Sequence, residues 1–280
     1  MKRALPVALL LTLTAPLAAS EWQTRVAPAV AEAKASRKLL FVDLYAEWCG
    51  WCKQLEKEVY STPRFREFAR QFVLLRVDTE DRAEGTKLAG RFGAYDLPTT
   101  LILDAELTRV GKVIGFAPTE QYIAEIQREL EEYRDYQRRL ATASGITDKN
   151  RLRDLAAEAH ERQDGAHAAA LLRRAIDLET NAQLRARMQY LLADSLRLAG
   201  AWKDAATELA AARSAATMLR DPDLVERVDL LAFSLAEDRG DCKQAIAALE
   251  DFLRVHPRSG YSGQAAQTLA TLRTDKAACT

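Results

Sequence analysis

This 280-residue chain is poor in net charge, histidine and long apolar runs. Its 40 Lys and Arg are matched by 40 Asp and Glu, so no basic field points to nucleic acid or to an anionic membrane surface. The three histidines, His160, His167 and His256, all lie in the second half. None is near Cys49 in sequence, which leaves a Cys–His hydrolase without support. Past the N-terminal segment, no stretch is apolar over the ~20 residues that a spanning helix needs. No phosphate-binding glycine loop, paired catalytic carboxylates, nicotinamide or flavin motif, or metal motif is found. The four cysteines are too unevenly spread for a tetrahedral zinc set. No cofactor is expected beyond a disulfide of the chain itself.

The first residues fit an export signal. Lys2 and Arg3 give a positive start, Leu5 to Leu17 is mostly apolar, and Ala18-Ala19-Ser20 supplies small residues for cleavage. The apolar run is too short for an anchor, and no cysteine near the cleavage site offers a lipid attachment point. Residues 1–20 are therefore read as a signal peptide, and the remainder as a soluble periplasmic or otherwise exported protein. An exported dithiol must be kept reduced deliberately or be used as an oxidant.

The most informative segment is Trp48-Cys49-Gly50-Trp51-Cys52-Lys53. An apolar strand-like run, Leu39 to Tyr45, precedes it, and a segment of helical character, Lys53 to Tyr60, follows. A CxxC pair thus sits where a strand hands over to a helix N-terminus. Free backbone N–H groups and the helix dipole favour a thiolate there, and a low-pKa thiol beside a second thiol is equipped for disulfide exchange. Further signals are a helix over Trp22 to Ser36, a short helix opened by Ser61-Thr62-Pro63, and a strand over Phe72 to Asp78. A helix over Glu84 to Phe92, strands over Thr99 to Asp104 and Val110 to Ile114, and a long helix from Thr119 follow. This order describes a compact sheet covered by helices.

At Phe41 to Lys53, FVDLYAEWCGWCK, the chain resembles the thioredoxin superfamily. Within it, the chain is similar to exported thioredoxin-like proteins and to the periplasmic C-terminal domain of the thiol:disulfide interchange protein DsbD. The resemblance runs on through LEKEVYSTPRF, RVDTED, YDLPTT and Gly115, and covers residues 21–140. It implies Cys49 as the exposed nucleophile, Cys52 as the resolving cysteine, Asp43 as the buried carboxylate beneath them, and Pro98 as a cis-proline facing the disulfide. Leu97, Trp48, Gly50, Trp51 and Gly115 would border the substrate groove. Asp43 is then either a proton acceptor for Cys52 or a carboxylate satisfied by backbone donors. Trp48 either packs over the strand ends or meets substrate. Thioredoxin places a lysine near the buried aspartate; the matching position here reads as Leu74, so Asp43 is expected to lack that cation and to ionise less readily, and Arg76 on the same face is not expected to replace it.

After about Ala141, strand formers vanish and alanine, leucine and arginine dominate. Helical pairs repeat at a spacing of roughly 34–40 residues, the range of helical-hairpin solenoids. Gly240, Ala245 and Pro257, then Gly200, Trp202, Ala205 and Ala212, then Ala168 and Ala175 fall at the intervals of tetratricopeptide repeats, with the first turn glycine displaced to Gly165. The resemblance implies a scaffold for a protein partner or for self-association; a spacer is the alternative. Cys242 opens one helix, and the last helix should return Cys279 to its level, so Cys242–Cys279 is a structural disulfide candidate. Two free thiols or a second redox pair remain the other readings.

The expected architecture is an α/β thioredoxin fold, a central mixed sheet flanked by helices, over 21–140, followed by an all-α tetratricopeptide-like helical-hairpin array over 146–280. The expected activity is thiol–disulfide exchange, reducing client disulfides with electrons from a membrane donor or other redox partner. A partner-binding adaptor with little turnover and a net dithiol oxidase are the alternatives.

Overall fold

The computed structural model describes residues 22–81 and 84–274. The expected signal peptide lies outside the described residues. The elements are α1 (Val26–Ser36), β1 (Leu39–Tyr45), α2 (Gly50–Leu55), a π-helical turn (Glu56–Tyr60), α3 (Pro63–Ala69), β2 (Phe72–Asp78), α4 (Gly85–Phe92), β3 (Thr99–Leu103), β4 (Arg109–Ile114) and α5 (Thr119–Ala141). An array follows: α6 (Lys149–Glu161), α7 (Gly165–Leu178), α8 (Ala182–Leu198), α9 (Trp202–Leu219), α10 (Pro222–Asp238), α11 (Cys242–Val255) and α12 (Ser262–Thr274). Among the described residues, no helix is long and apolar enough to cross a membrane.

Two compact units result. The first comprises the described residues up to Ala105 with Lys112–Glu125, and the second Glu106–Gly111 with the described residues from Ile126 onward. Helix α5 therefore contributes its first turns to one unit and the rest to the other. Tyr122 lies among the aromatics of the first, and Tyr136 in the apolar core of the second.

In the first unit the sheet order is β2-β1-β3-β4, with β1 parallel to β2 and antiparallel to β3. Strand β1 is central and buried on both faces, which is why it reads as a continuous apolar run. Phe41, Asp43 and Tyr45 share one face, because strand side chains alternate. On that face Phe41 packs edge-on to Trp22, Tyr60 and Phe65. Helix α1 starts later than the sequence suggests. Gln23 instead bridges to β2, with its N–H on the Leu74 carbonyl and its own carbonyl accepting from Arg76. Helix α3 starts as expected: Thr62 Oγ1 accepts from the Phe65 N–H at 3.1 Å and Pro63 holds the first helical position.

The second unit is a run of antiparallel-type hairpins, each helix packing on the next from α6 to α12. Asp148, Asp164, Asn181, Asp221 and Asp241 cap α6, α7, α8, α10 and α11 through their side chains, each cap worth about 1 kcal/mol. The small residues singled out by their spacing, Ala168, Ala175, Ala205, Ala212 and Ala245, are all buried where helices approach. Gly200 and Gly240 have the positive φ of helix-ending turns. In the first hairpin Gln163 takes that conformation instead. Gly165 serves packing: a Cβ on it would collide with the Ser195 carbonyl, Ala199 N and Leu198.

Two of the histidines, His160 and His256, are half-buried and paired. His160 hydrogen bonds to Ser195 Oγ at 3.1 Å and lies 3.3 Å from Asp194, while His256 lies 2.9 Å from Asp229. Cys242 is half-buried at the start of α11 and is not a free thiol. Its expected partner, Cys279, lies outside the described residues.

Gly165→Ala is expected to destabilise the second unit by about 1–3 kcal/mol, since backbone must move to admit one methyl. Urea unfolding followed by far-UV circular dichroism checks this; an unchanged midpoint would mean that α7 and α8 have room between them.

Candidate active site

Strand β1 ends at Tyr45, and a short turn carries the chain to Cys49, the N-cap of α2. Cys49 and Cys52 are joined in a disulfide with Cα atoms 5.3 Å apart. The Cys52 N–H points at Cys49 Sγ from 3.1 Å. A first-turn amide thus faces the sulfur that would carry the thiolate charge after reduction.

Both cysteines are 3% exposed and pack with Ala46, Tyr45 and Leu97. This departs from the expectation of an exposed Cys49: in the disulfide its sulfur is bonded to Cys52 and covered by these neighbours. What is exposed is the aromatic rim. Trp48 is 68% and Trp51 57% exposed. The Trp48 indole N–H donates at 2.8 Å to Oε1 of Glu80, two residues past the end of β2. The Trp51 ring lies 5.9 Å from that of Phe116. The Leu97–Pro98 peptide is cis, and the Pro98 carbonyl accepts from the Gly115 N–H at 2.8 Å. Gly50 is exposed and Gly115 half-buried with positive φ. The structure thus gathers the cysteines with Leu97, Pro98 with Gly115, and Trp51 with Phe116, which the sequence did not single out.

Beneath this lies Asp43, 1% exposed. Strand pairing places it between Arg76 on β2 and Thr100 on β3. Arg76 Nε is 3.3 Å from Asp43 Oδ2, and Arg76 Nη1 is 2.9 Å from Glu56 Oε2. The guanidinium also lies over the Tyr45 ring, 4.3 Å from its centroid. The sequence reading left Asp43 without a cation, Leu74 standing where a lysine would; Arg76 supplies one instead. Leu74 pairs with Phe41, two residues along β1 from the carboxylate. The other Asp43 oxygen accepts from the Tyr60 hydroxyl at 3.1 Å. Tyr60 hydrogen bonds in turn with Thr100 and Tyr122. Sequence reading missed Tyr60, Thr100, Tyr122 and Glu56, because only strand register and the π turn bring them together.

Burial pushes the Asp43 carboxyl up to about 6; Arg76 and the Tyr60 hydrogen bond oppose that rise, and Glu56 adds to it. A cleft of about 170 Å³ opens beside this group, lined by Tyr45, Glu47, Cys52, Lys53, Glu56 and Arg76. It gives solvent a route to both Cys52 and the cation that holds Asp43.

A family model described as thioredoxin-like matches residues 21–105. The described residues of the first unit have the mixed four-stranded sheet and flanking helices of a thioredoxin-like fold. Thiol:disulfide interchange protein DsbD of Ralstonia nicotianae is 33% identical over 109 residues, 38% of this chain and 18% of that protein. Its namesake from Haemophilus ducreyi is 35% identical over 95 residues, 32% of this chain and 16% of that protein. The chain thus spans less than a fifth of the length of these curated relatives. Among solved structures, the oxidised DsbD C-terminal domain of Neisseria meningitidis aligns at 20% identity over 37% of this chain and 90% of that one, with a TM-score of 0.33.

The raised Asp43 value has a consequence for the stability of the thioredoxin-like domain. Between the ordinary 3.8 and about 6, the folded chain holds a proton that the unfolded chain has released. Stability therefore falls as pH rises through that window and stays lower above it. Asp43→Asn is expected to stabilise the protein by about 1–3 kcal/mol at pH 8 and by almost nothing at pH 4. Denaturant unfolding at the two pH values checks this; equal effects at both would contradict the raised value.

Proposed function

We propose that the protein is an exported thiol–disulfide oxidoreductase that reduces client protein disulfides through Cys49 and Cys52. The observation that carries this reading is a disulfide at a helix N-cap above a buried carboxylate whose proton affinity is raised to about 6. The matched relatives are named thiol:disulfide interchange proteins, which supports the chemistry. The export pattern of the first 20 residues supports a location outside the cytoplasm.

In the proposed cycle, an external redox partner first delivers two electrons and two protons to the Cys49–Cys52 disulfide, giving the dithiol. No group for taking electrons from a nicotinamide is evident in the sequence, which favours a membrane donor or another dithiol protein. Cys49 then attacks a client disulfide as thiolate. A Cys49–client bond forms, the client S–S bond breaks, and one client sulfur leaves as thiolate. Cys52 gives its proton to the Asp43 carboxylate and attacks Cys49 Sγ. The Cys49–client bond breaks, the second client thiolate leaves, and the Cys49–Cys52 disulfide returns. The proton on Asp43 and one from solvent neutralise the two client thiolates. The cis Leu97–Pro98 backbone, Gly115, Gly50 and the exposed Trp48 and Trp51 would border the client chain. The helical array would serve as a scaffold for a protein partner.

Single-turnover oxidation of the reduced protein by insulin disulfides tests the assignment. Cys49→Ser should fall to the background rate. Cys52→Ser should instead accumulate a Cys49-linked mixed disulfide visible on a non-reducing gel. Turnover by Cys49→Ser equal to wild type would sink the proposal.

A further inference from the structure

Asp43 is gripped from two sides. Its Oδ2 faces Arg76, and its Oδ1 accepts the Tyr60 hydroxyl. A hydroxyl has one proton, and an ionised carboxylate accepts but does not donate. With its proton committed to Asp43, Tyr60 is only an acceptor toward Thr100 Oγ1 at 3.3 Å and Tyr122 Oη at 3.2 Å. Thr100 and Tyr122 also hydrogen bond to each other. Three hydroxyl protons serve four contacts, and two arrangements keep the Thr100–Tyr122 hydrogen bond, each leaving one of the two contacts to Tyr60 without a proton. Either Tyr122 donates to Thr100 and Thr100 to Tyr60, or Thr100 donates to Tyr122 and Tyr122 to Tyr60. Both run one way and end on Asp43. The three hydroxyls come from the π turn, β3 and α5, and all are buried. Burial holds both tyrosines protonated well past neutral pH, so the chain of donors persists whenever Asp43 is ionised.

We infer that Tyr60, backed by Thr100 and Tyr122, is a positioning residue that holds Asp43 as a carboxylate and so sets the pH below which Cys52 cannot hand over its proton. The inference rests on the proposed role of Asp43 as that acceptor. Because Oδ1 is occupied by Tyr60, the proton leaving Cys52 Sγ goes to Oδ2. That oxygen lies on the Arg76 side, where the cleft lined by Cys52, Glu56 and Arg76 opens. The Cys52 sulfur then attacks Cys49 as thiolate, as in the cycle above. The other charged or titratable groups around Asp43 are Arg76 and Asp78 from β2, Glu56 from the π turn, and Tyr45 from β1. Glu47 follows from the turn after β1, Lys53 from α2 and Glu125 from α5. Removing the Tyr60 hydroxyl leaves each of these in place, so its effect is separable from theirs.

The test is the pH profile of single-turnover oxidation of the full-length reduced protein by insulin disulfides, from pH 5 to 9. Wild type, Asp43→Asn, Tyr60→Phe and Tyr122→Phe are compared. Losing a hydrogen bond to a charged group should move the acid limb of Tyr60→Phe up by about one pH unit, a roughly tenfold slower reaction on that limb. The plateau above pH 8 should stay within about twofold, which a merely structural defect would not preserve. Tyr122→Phe should move the limb the same way by less, and it carries the test if Tyr60→Phe does not fold. An acid limb unmoved in the folded tyrosine variants, with the limb abolished in Asp43→Asn, overturns the inference alone. A limb unmoved in Asp43→Asn overturns the assignment of Asp43 as acceptor, and the inference with it.

Discussion

A carboxylate in the centre of a hydrophobic sheet is the constraint to which the thioredoxin-like domain is built. Phe41, Val42 and Leu44 beside Asp43 are fully buried. An unpaired charge at such a place costs several kcal/mol and would protonate instead. The sheet meets this with a single polar row, Arg76, Asp43 and Thr100, running across β2, β1 and β3 at one level. Side chains alternate along each strand, so this row occupies one face only. On one side of it the next row of the same face is apolar, with Leu74 opposite Phe41 and Phe41 opposite Ile102. The hydrophobic rows stabilise the sheet, and the polar row keeps the buried charge tolerable.

The helix that begins at the cysteines completes the same arrangement from above. It starts with Cys49 as N-cap and continues through the π turn at Glu56–Tyr60. A π turn accommodates an extra residue, and one residue corresponds to about 100° of rotation around a helix axis. That change in phase lets Glu56 reach Arg76 while Tyr60 turns inward to Asp43. One continuous helical segment therefore positions the sulfur pair at one end and two partners of the polar row further along. Local backbone irregularity and chemistry are linked here, as is common for π turns at functional sites.

The elements of this domain were legible because their signals are local. The apolar run Leu39–Tyr45 can only be a central strand, and Thr62-Pro63 carries both a cap and a first-turn proline. Register is not local. Leu74 and Arg76 share a face, so alternation cannot say which of them meets Asp43; only the pairing of β1 with β2 does. Tyr60 reaches Asp43 from the end of the π turn, an irregularity that the sequence does not announce. In the second unit the repeat spacing located the helices and their small packing residues. Gly165 nonetheless looked like a displaced turn glycine, because a glycine needed for close approach and one needed for positive φ are identical in sequence. The burial of His160 is likewise not legible in its own helix, since it comes from α8 through Asp194 and Ser195.

The competing influences on Asp43 explain why the row is neither fully neutral nor fully paired. A carboxylate held at its ordinary value would be ionised but a weak base toward a thiol. One pushed far above neutrality would be a stronger base but already protonated. A value of about 6 leaves the group roughly nine-tenths ionised at pH 7 while narrowing the gap to an ordinary thiol by about two units. Burial alone would overshoot, and Arg76 and Tyr60 pull the value back. Glu56 then tempers Arg76 by sharing its guanidinium. The polar row is thus an adjustment of basicity, in which each contact that steadies the charge also limits how strongly the carboxylate can draw a proton.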